Sequence, residues 1–413
     1  MRFLIAALLL WALLADGAAA AGDPLRSRQW NLTMIEADAA HATSTGVGAT
    51  VAIVDSGVAA NHPDLRGRLA PGYDFVDRDA TPQDGDGHGT HVTGIVGAAT
   101  GNGVGVASVA PGARLMPVRV LDDTGSGNVD DIAAGIDWAR GHGADVINLS
   151  LGSEVPIIGA AGGDAIDASI RRALAAGVVV VAAAGNNGVP VCEQPAASAG
   201  LLCVGAVDRR RTRSLFSSFG SGLGVVAPGG SALPADGENV LSTVPPATYE
   251  EMAGTSQAAP HVAGVAALLV SLGLRGRAAT DRLLATATDL GPPGVDAQYG
   301  HGLVNARAAV AGLRAQPGTP VLRPFVHVRR HQRARRAVRV RMRSAVDGRA
   351  RIRVRAHGRT VARAVRRLRA GHARTVTARL FRRARGAAPF RAHVTVRLPG
   401  ENRVRARHVA IRR

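Results

Sequence analysis

The stretch ATVAIVDSG, residues 49–57, is a short apolar run rich in β-branched residues that stops at an aspartate and a glycine. A run this short, closed by a turn signal, reads as a strand buried on both faces. Three more runs of the same kind follow, ADVINLSLG at 144–152, VVVVAAAGN at 178–186 and LLCVGAVD at 201–208. Between them, VDDIAAGIDWARGHG (129–143) and AIDASIRRALAAG (165–177) place apolar residues at helical spacing and end on glycine, a helix stop. Strands alternating with helices predict an α/β fold, a parallel sheet covered by helices on both faces. Functional groups of such sheets gather beyond the carboxyl ends of the strands.

Three polar residues stand at positions of that kind. Asp55 closes VAIVD, His88 opens HGTHVTGIVGAAT (88–100), and Ser256 begins a second helix-like run in GTSQAAPHVAGVAALL (254–269). Singly they have bland readings: a turn aspartate, a loop histidine, a serine N-cap. Together they fit one chemistry. A serine hydroxyl is a weak nucleophile until an imidazole takes its proton, and the imidazole needs a carboxylate to fix its tautomer and stabilise its cation. A zinc reading of His88 and His91 requires a glutamate after the first histidine, and Gly89 stands there instead. His91 and His261, a few residues into their helices, are expected to be structural.

VAIVDSGV, GHGTHVTG and GTSQAAPHVAG, in this order, closely resemble the motifs of the subtilisin family of serine proteases, and the resemblance runs over about residues 23–313. It implies a serine endopeptidase in which Ser256 attacks, His88 is the base and Asp55 orients it. It further implies that Asn186, in AAAGNNG, and the backbone N–H of Ser256 stabilise the oxyanion. Gly125, Ser126 and Gly127, with Ser150, Leu151 and Gly152, resemble the two strands that hold a substrate backbone, which favours peptide over small ester. Two features depart from the family. DPLRSRQWNL, which resembles a mature start, follows the leader closely, so the usual N-terminal inhibitory domain is not expected; and Gln257 stands where most relatives carry methionine.

Calcium is expected at two places. In YDFVDRDATPQDGDGHG (73–89), the spacing of Asp74, Asp77, Asp79, Thr81 and Gln83 lets a turning loop aim oxygens at one hard cation. The segment also looks like a calcium loop of one branch of the family. Asp23, Asp64 and Asn102, with the carbonyls of Ala99, Val104 and Val106, match the family's strong calcium site.

Residues 1–21 have the layout of a secretory signal, an apolar run from Phe3 to Leu14 with a small-residue exit at Ala18–Ala21, so export is expected. Cys192 and Cys203 then most simply form one disulfide. Charge divides the chain sharply. Residues 1–317 hold 20 arginines against 29 acids, net −9, whereas residues 318–413 hold 30 arginines against two acids, net +28. The organisation expected is a peptidase domain at 22–314, a linker at 315–322 and an arginine-rich domain at 323–413. AVRVRM, ARIRVRAHG, TVTARL, AHVTVRLPG and RHVAI alternate apolar with polar residues, predicting strands of a small all-β, sandwich-like domain that turns arginines outward. Such a surface attracts polyanionic cell-envelope polymers, while its three phenylalanines argue against base stacking on nucleic acid. A secreted, monomeric, wall-associated protease acting on proteins or peptides is therefore expected. A catalytically silent surface-binding relative, or an esterase or peptide ligase using the same three residues, are the alternatives.

Overall fold

The structure, a computed structural model, describes residues 22–152, 163–231 and 236–314, and strands between 325 and 412. The leader at 1–21 and the linker at 315–322 lie outside the described residues. The chain divides into two compact units that part at residue 315.

In the first unit, short helices α1 (Trp30–Met34) and α2 (Ala37–His41) lead into a seven-stranded sheet. Its strands are β1 (Thr50–Asp55), β2 (Tyr73–Asp74), β3 (Arg114–Arg119), β4 (Val146–Leu149), β5 (Val179–Ala183), β6 (Leu202–Val207) and β7 (Leu223–Pro228). They lie in the order β2-β3-β1-β4-β5-β6-β7, every neighbouring pair parallel. All residues of β4, β5 and β6 are buried, which requires cover on both faces of the sheet. Helix α3 (His88–Gly97) packs with α6 (Thr255–Ser271), and α4 (Val129–His142) with α5 (Gly163–Ala175), to supply it. The ends of α4 follow from sequence: the Asn128 side chain accepts the Asp131 N–H at 2.8 Å, and Gly143 closes the helix at φ 97°.

From β1 the sheet grows one way to β3 and the other way to β4, so a crevice opens at the carboxyl ends of β1 and β4. Asp55 is the last residue of β1, Ser150 follows β4 and Asn186 lies just past β5. A hairpin of β8 (Val240–Val244) and β9 (Thr248–Met252) seals α3, with Ser242 Oγ donating to His91 O and Thr243 Oγ1 to Thr90 O. Helices α7 (Arg277–Ala285) and α8 (Ala306–Val310) complete the unit. Cys192 and Cys203 are joined in a disulfide, clipping the segment before Pro195 to β6.

The second unit contains only strands among its described residues. Short strands β10 (Phe325–His327) and β11 (His331–Arg333) precede β12 (Ala337–Arg343), β13 (Gly348–Ala356), β14 (Arg359–Leu368), β15 (Arg374–Arg379), β16 (Phe390–Arg397) and β17 (Val404–Arg412). They form a three-stranded sheet, β10-β12-β15, and a five-stranded sheet, β11-β17-β16-β13-β14, antiparallel except where β11 meets β17. Along β13, Ile352, Val354 and Ala356 are buried while Arg351, Arg353 and Arg355 are exposed, the alternation expected from the sequence. Among the described residues of the chain, no helix is long and apolar enough to cross a membrane.

Candidate active site

Asp55 is fully buried at the end of β1, and its Oδ1 accepts the N–H of Ser56 at 2.8 Å. The same oxygen lies 2.8 Å from Nδ1 of His88. Its Oδ2 is buried and has no hydrogen-bond partner among the described residues. His88 is the first residue of α3, and Asp84 holds the chain there. Asp84, 4% exposed, accepts from Gly87 N (2.8 Å), Thr90 N (2.8 Å) and Ser56 Oγ (2.9 Å), binding the start of α3 to the end of β1. Gly89 permits this junction, because a Cβ there would lie 2.2 Å from Gly57 O. Burial alone would lower the His88 pKa. The charge and hydrogen bond of Asp55, with the charges of Asp86 and Asp84, outweigh it and hold His88 above its ordinary 6.5.

Ser256 is the second residue of α6, and its hydroxyl donates to the carbonyl of Ser150 at 3.3 Å. Pro260 sits inside the same helix and has no N–H to give to the carbonyl four residues earlier, that of Ser256. Ser150 Oγ donates to that carbonyl at 2.7 Å and itself accepts from Asn148 Nδ2 at 2.9 Å. A residue at the end of β4 thus replaces the missing helical bond, fixing the serine against the sheet edge. Asn186 Oδ1 accepts both the N–H and the hydroxyl of Thr255, each at 2.9 Å. Its Nδ2 is left to donate beside the Ser256 N–H: a Cβ built on Gly254 would lie 3.5 Å from Asn186 Nδ2 and 3.6 Å from Ser256 N.

Gly125 and Ser126 lie in, and Gly127 follows, a turn in which Asp122 N donates to Ser126 O at 2.7 Å. A Cβ on Gly125 would be 3.6 Å from Asp86 Oδ2, so this segment runs close to the start of α3. The segment 150–152 continues β4 past the Ser256 carbonyl. His91 and His261 are fully buried and hydrogen-bonded to the protein frame, His91 Nε2 to the carbonyls of Val240 and Glu250, and His261 to Gln257 O and Asn31 Nδ2. Burial, aided at His91 by the charge of His88, pushes their pKa values down to about 3 and about 4.

The two expected cation loops differ in fit. Asp23 and Asp64 are 8% and 0% exposed, and their carboxylates meet neutral groups: Gly101 N and Asn102 N donate to Asp23, Asn102 Nδ2 and Val106 N donate to Asp64, and the Tyr249 hydroxyl lies beside Asp64. Ala99, Val104 and Val106 belong to the same loop. Two buried carboxylates with no cationic partner among the described residues suit a bound cation. At the second loop Arg119, 5% exposed, already bridges Asp74 Oδ2 (2.9 Å) and Asp77 Oδ2 (2.7 Å) and reaches Asp123 Oδ1 (2.6 Å). Asp79 accepts the Thr81 N–H, and Gln83 reaches only Asp84 O at 3.5 Å. A metal there shares its carboxylates with a guanidinium, so this loop fits less well. Among the described residues no group of three carboxylate, imidazole or thiol side chains is placed to hold a metal ion by itself, so a cation at either loop would lean on amide and carbonyl oxygens as well.

Sequence reasoning missed Asp84, Arg119 and the Ser150–Pro260 relation. Only the last carried a signal, a proline four residues after the serine.

An aspartate–histidine pair, a serine at a helix start and a directed amide donor, all at one sheet edge, define a hydrolase with a serine nucleophile. Residues 46–302 match the model of the Subtilase family. Thermitase of Thermoactinomyces vulgaris is 43% identical over 287 residues, 69% of this chain and 96% of the relative. Subtilisin Savinase of Lederbergia lenta is 43% identical over 69% of this chain and 99% of its own. A solved protease of Pseudoalteromonas arctica PAMC 21717 superposes with a TM-score of 0.64 at 36% identity, covering 71% of this chain and 99% of its own. The chain belongs to the subtilase family and is a subtilisin-like serine endopeptidase. The family match ends before the arginine-rich unit.

Proposed function

We propose that the chain cuts peptide bonds through Ser256, His88 and Asp55, with Asn186 and the Ser256 N–H as oxyanion donors. The observation that carries this is the 2.8 Å bond between His88 Nδ1 and the buried Asp55. With Nδ1–H donating to the carboxylate, Nε2 is left as the proton acceptor. Rotation of the Ser256 side chain exchanges its long bond to Ser150 O for Nε2. Oγ then attacks the scissile carbonyl carbon while its proton passes to Nε2. The negative charge gathers on the carbonyl oxygen, where Asn186 Nδ2 and Ser256 N donate without rearranging, because Thr255 already holds the Asn186 amide. Collapse transfers the proton from Nε2 to the leaving amine and leaves an acyl group on Oγ, which water, deprotonated by Nε2, removes. The exposed backbone at 125–127 and the strand extension at 150–152 suit a peptide lying between them.

Catalysis in this reading needs neutral His88, so kcat/KM on a peptide p-nitroanilide rises with pH through a midpoint above 6.5. Asp55→Asn should lower kcat by about 10⁴, the cost of the wrong histidine tautomer in a serine protease. Asn186→Ala should lower it by about 100- to 1000-fold, the range known for this donor in a subtilisin. Full activity of Asp55→Asn would overturn the assignment.

Three further elements belong to the proposal. The signal-like leader and the disulfide support an exported enzyme. The Asp23–Asp64 loop holds a structural calcium ion, which supplies countercharge to two buried carboxylates; at the Asp74–Gln83 loop Arg119 does that already. The second unit tethers the enzyme to polyanionic envelope polymers. Arg353 lies directly opposite Arg363, like charges whose repulsion an anion relieves.

A further inference from the structure

We infer that Glu193 is a specificity residue that selects a cationic side chain on the substrate residue whose carbonyl is attacked, so that the enzyme cuts after arginine or lysine. The inference rests on the site proposed above.

The placement comes first. Glu193 N donates to Ala184 O at 2.8 Å, laying the residue along the segment that leads from β5 to Asn186. Its carboxylate presses against Gly185, where a Cβ would lie 2.0 Å from Glu193 Oε1. On the other side, a Cβ on Gly152 would lie 3.7 Å from Gln194 O. Segments 150–152, 184–186 and 193–194 are thus three neighbouring walls beside Asn186. Gly185 makes room for the Glu193 carboxylate itself, and Gly152 puts no side chain on the face towards Gln194. The disulfide of Cys192 fixes the adjoining backbone to β6.

The chemistry follows. Glu193 is 5% exposed, and its oxygens accept only from neutral groups: Ser218 Oγ at 2.5 Å and Asn187 N at 3.3 Å on Oε1, and Asn187 Nδ2 at 2.6 Å on Oε2. A carboxylate has about four acceptor positions. These three donors leave one, on Oε2. No arginine or histidine among the described residues pairs with it. A buried carboxylate without countercharge is costly, and three neutral donors offset that only in part. A guanidinium or ammonium arriving on a substrate side chain supplies both the charge and the last donor. It does so only in the complex, which makes the interaction selective.

The test is a panel of peptide p-nitroanilides identical except for arginine, lysine, glutamine, leucine or phenylalanine before the scissile bond. With the full chain, kcat/KM for arginine and lysine should exceed that for leucine by about 10- to 100-fold, the range of a charge-assisted bond. Glu193→Gln should shrink the arginine-to-leucine ratio by a similar factor. Taking the ratio within one preparation cancels any loss of folded enzyme, and the unsubstituted chain decides the matter even where the variant fails to fold. A flat panel, a preference for leucine or phenylalanine, or an arginine preference that survives in Glu193→Gln overturns the inference. Absence of turnover on every member would defeat the peptidase reading along with it, whereas turnover without preference defeats this inference alone.

Discussion

The bond from Ser150 to the carbonyl of Ser256 can be tested by removing it and then rebuilding it from the other side. Ser150→Ala leaves a carbonyl in helix α6 with no donor, because Pro260 cannot supply the usual one. An orphaned buried carbonyl costs about 1–3 kcal/mol. Asn148 loses the acceptor of its Nδ2 as well, and its Oδ1 already has no partner among the described residues, adding about 1 kcal/mol. The expected loss is therefore about 2–4 kcal/mol, large against a total stability of about 5–15 kcal/mol but short of unfolding the chain. Pro260→Ala restores an N–H four residues after Ser256. In the Ser150→Ala background it should recover at least about 1 kcal/mol of that loss, while in the parent, where the carbonyl is satisfied, it should gain little and loses some through added freedom of the unfolded chain. Urea unfolding of all four proteins, carried in a Ser256→Ala background to stop self-digestion, gives the coupling energy. Additivity of the two substitutions within about 0.5 kcal/mol would refute the account of how Ser256 is positioned.

Other consequences are as direct. At free calcium about 100 times Kd, the Asp23–Asp64 loop should contribute about 2.7 kcal/mol, so excess EGTA lowers Tm and Asp64→Asn removes that response; an unchanged Tm in EGTA counts against the site. His91 and His261 have folded pKa values below the unfolded 6.5, so their contribution is complete above about pH 6.5 and is lost as pH falls toward about 3 and about 4. Unfolding free energy should drop by about 2–3 kcal/mol per histidine between pH 6.5 and 4.5, less steeply in His261→Asn, and equal slopes would contradict this. Replacing Arg351, Arg353 and Arg363 by glutamine should weaken retention on heparin and flatten its salt dependence; retention indifferent to salt argues against an electrostatic tether.

The strands that could be read from sequence are those whose sequence is uninterrupted. β1, β4, β5 and β6 are near-continuous apolar runs because both faces are covered, and their ends gave Asp55, Ser150 and Asn186 their places. β3 hides behind Arg114 and Pro117, and that proline is tolerated because on the outer side of β3 the pairing is broken there, residues 68–70 meeting Leu115 and β2 meeting Val118 and Arg119. β14 was not expected because RTVARAVRRL breaks the alternation that revealed β13 and β16. At the site, the three motifs marked the chemistry, whereas the groups that aim it are set by folding. Nothing local distinguishes Asp84, which caps α3, from the neighbouring loop aspartates, and nothing around Arg119 shows that it will reach Asp74 and Asp77, more than 40 residues before it. Glu193 is likewise ordinary until β5 and the disulfide place it under Gly185.

The central claim is that Ser256 is the nucleophile activated by His88 and Asp55. Labelling the folded full chain with a fluorophosphonate and mapping the adduct by peptide mass spectrometry tests it most directly. One adduct is expected, on Ser256, formed faster as pH rises past the His88 midpoint above 6.5 and nearly abolished in His88→Ala. An adduct on another residue, or labelling of Ser256 that proceeds unchanged without His88, would contradict it.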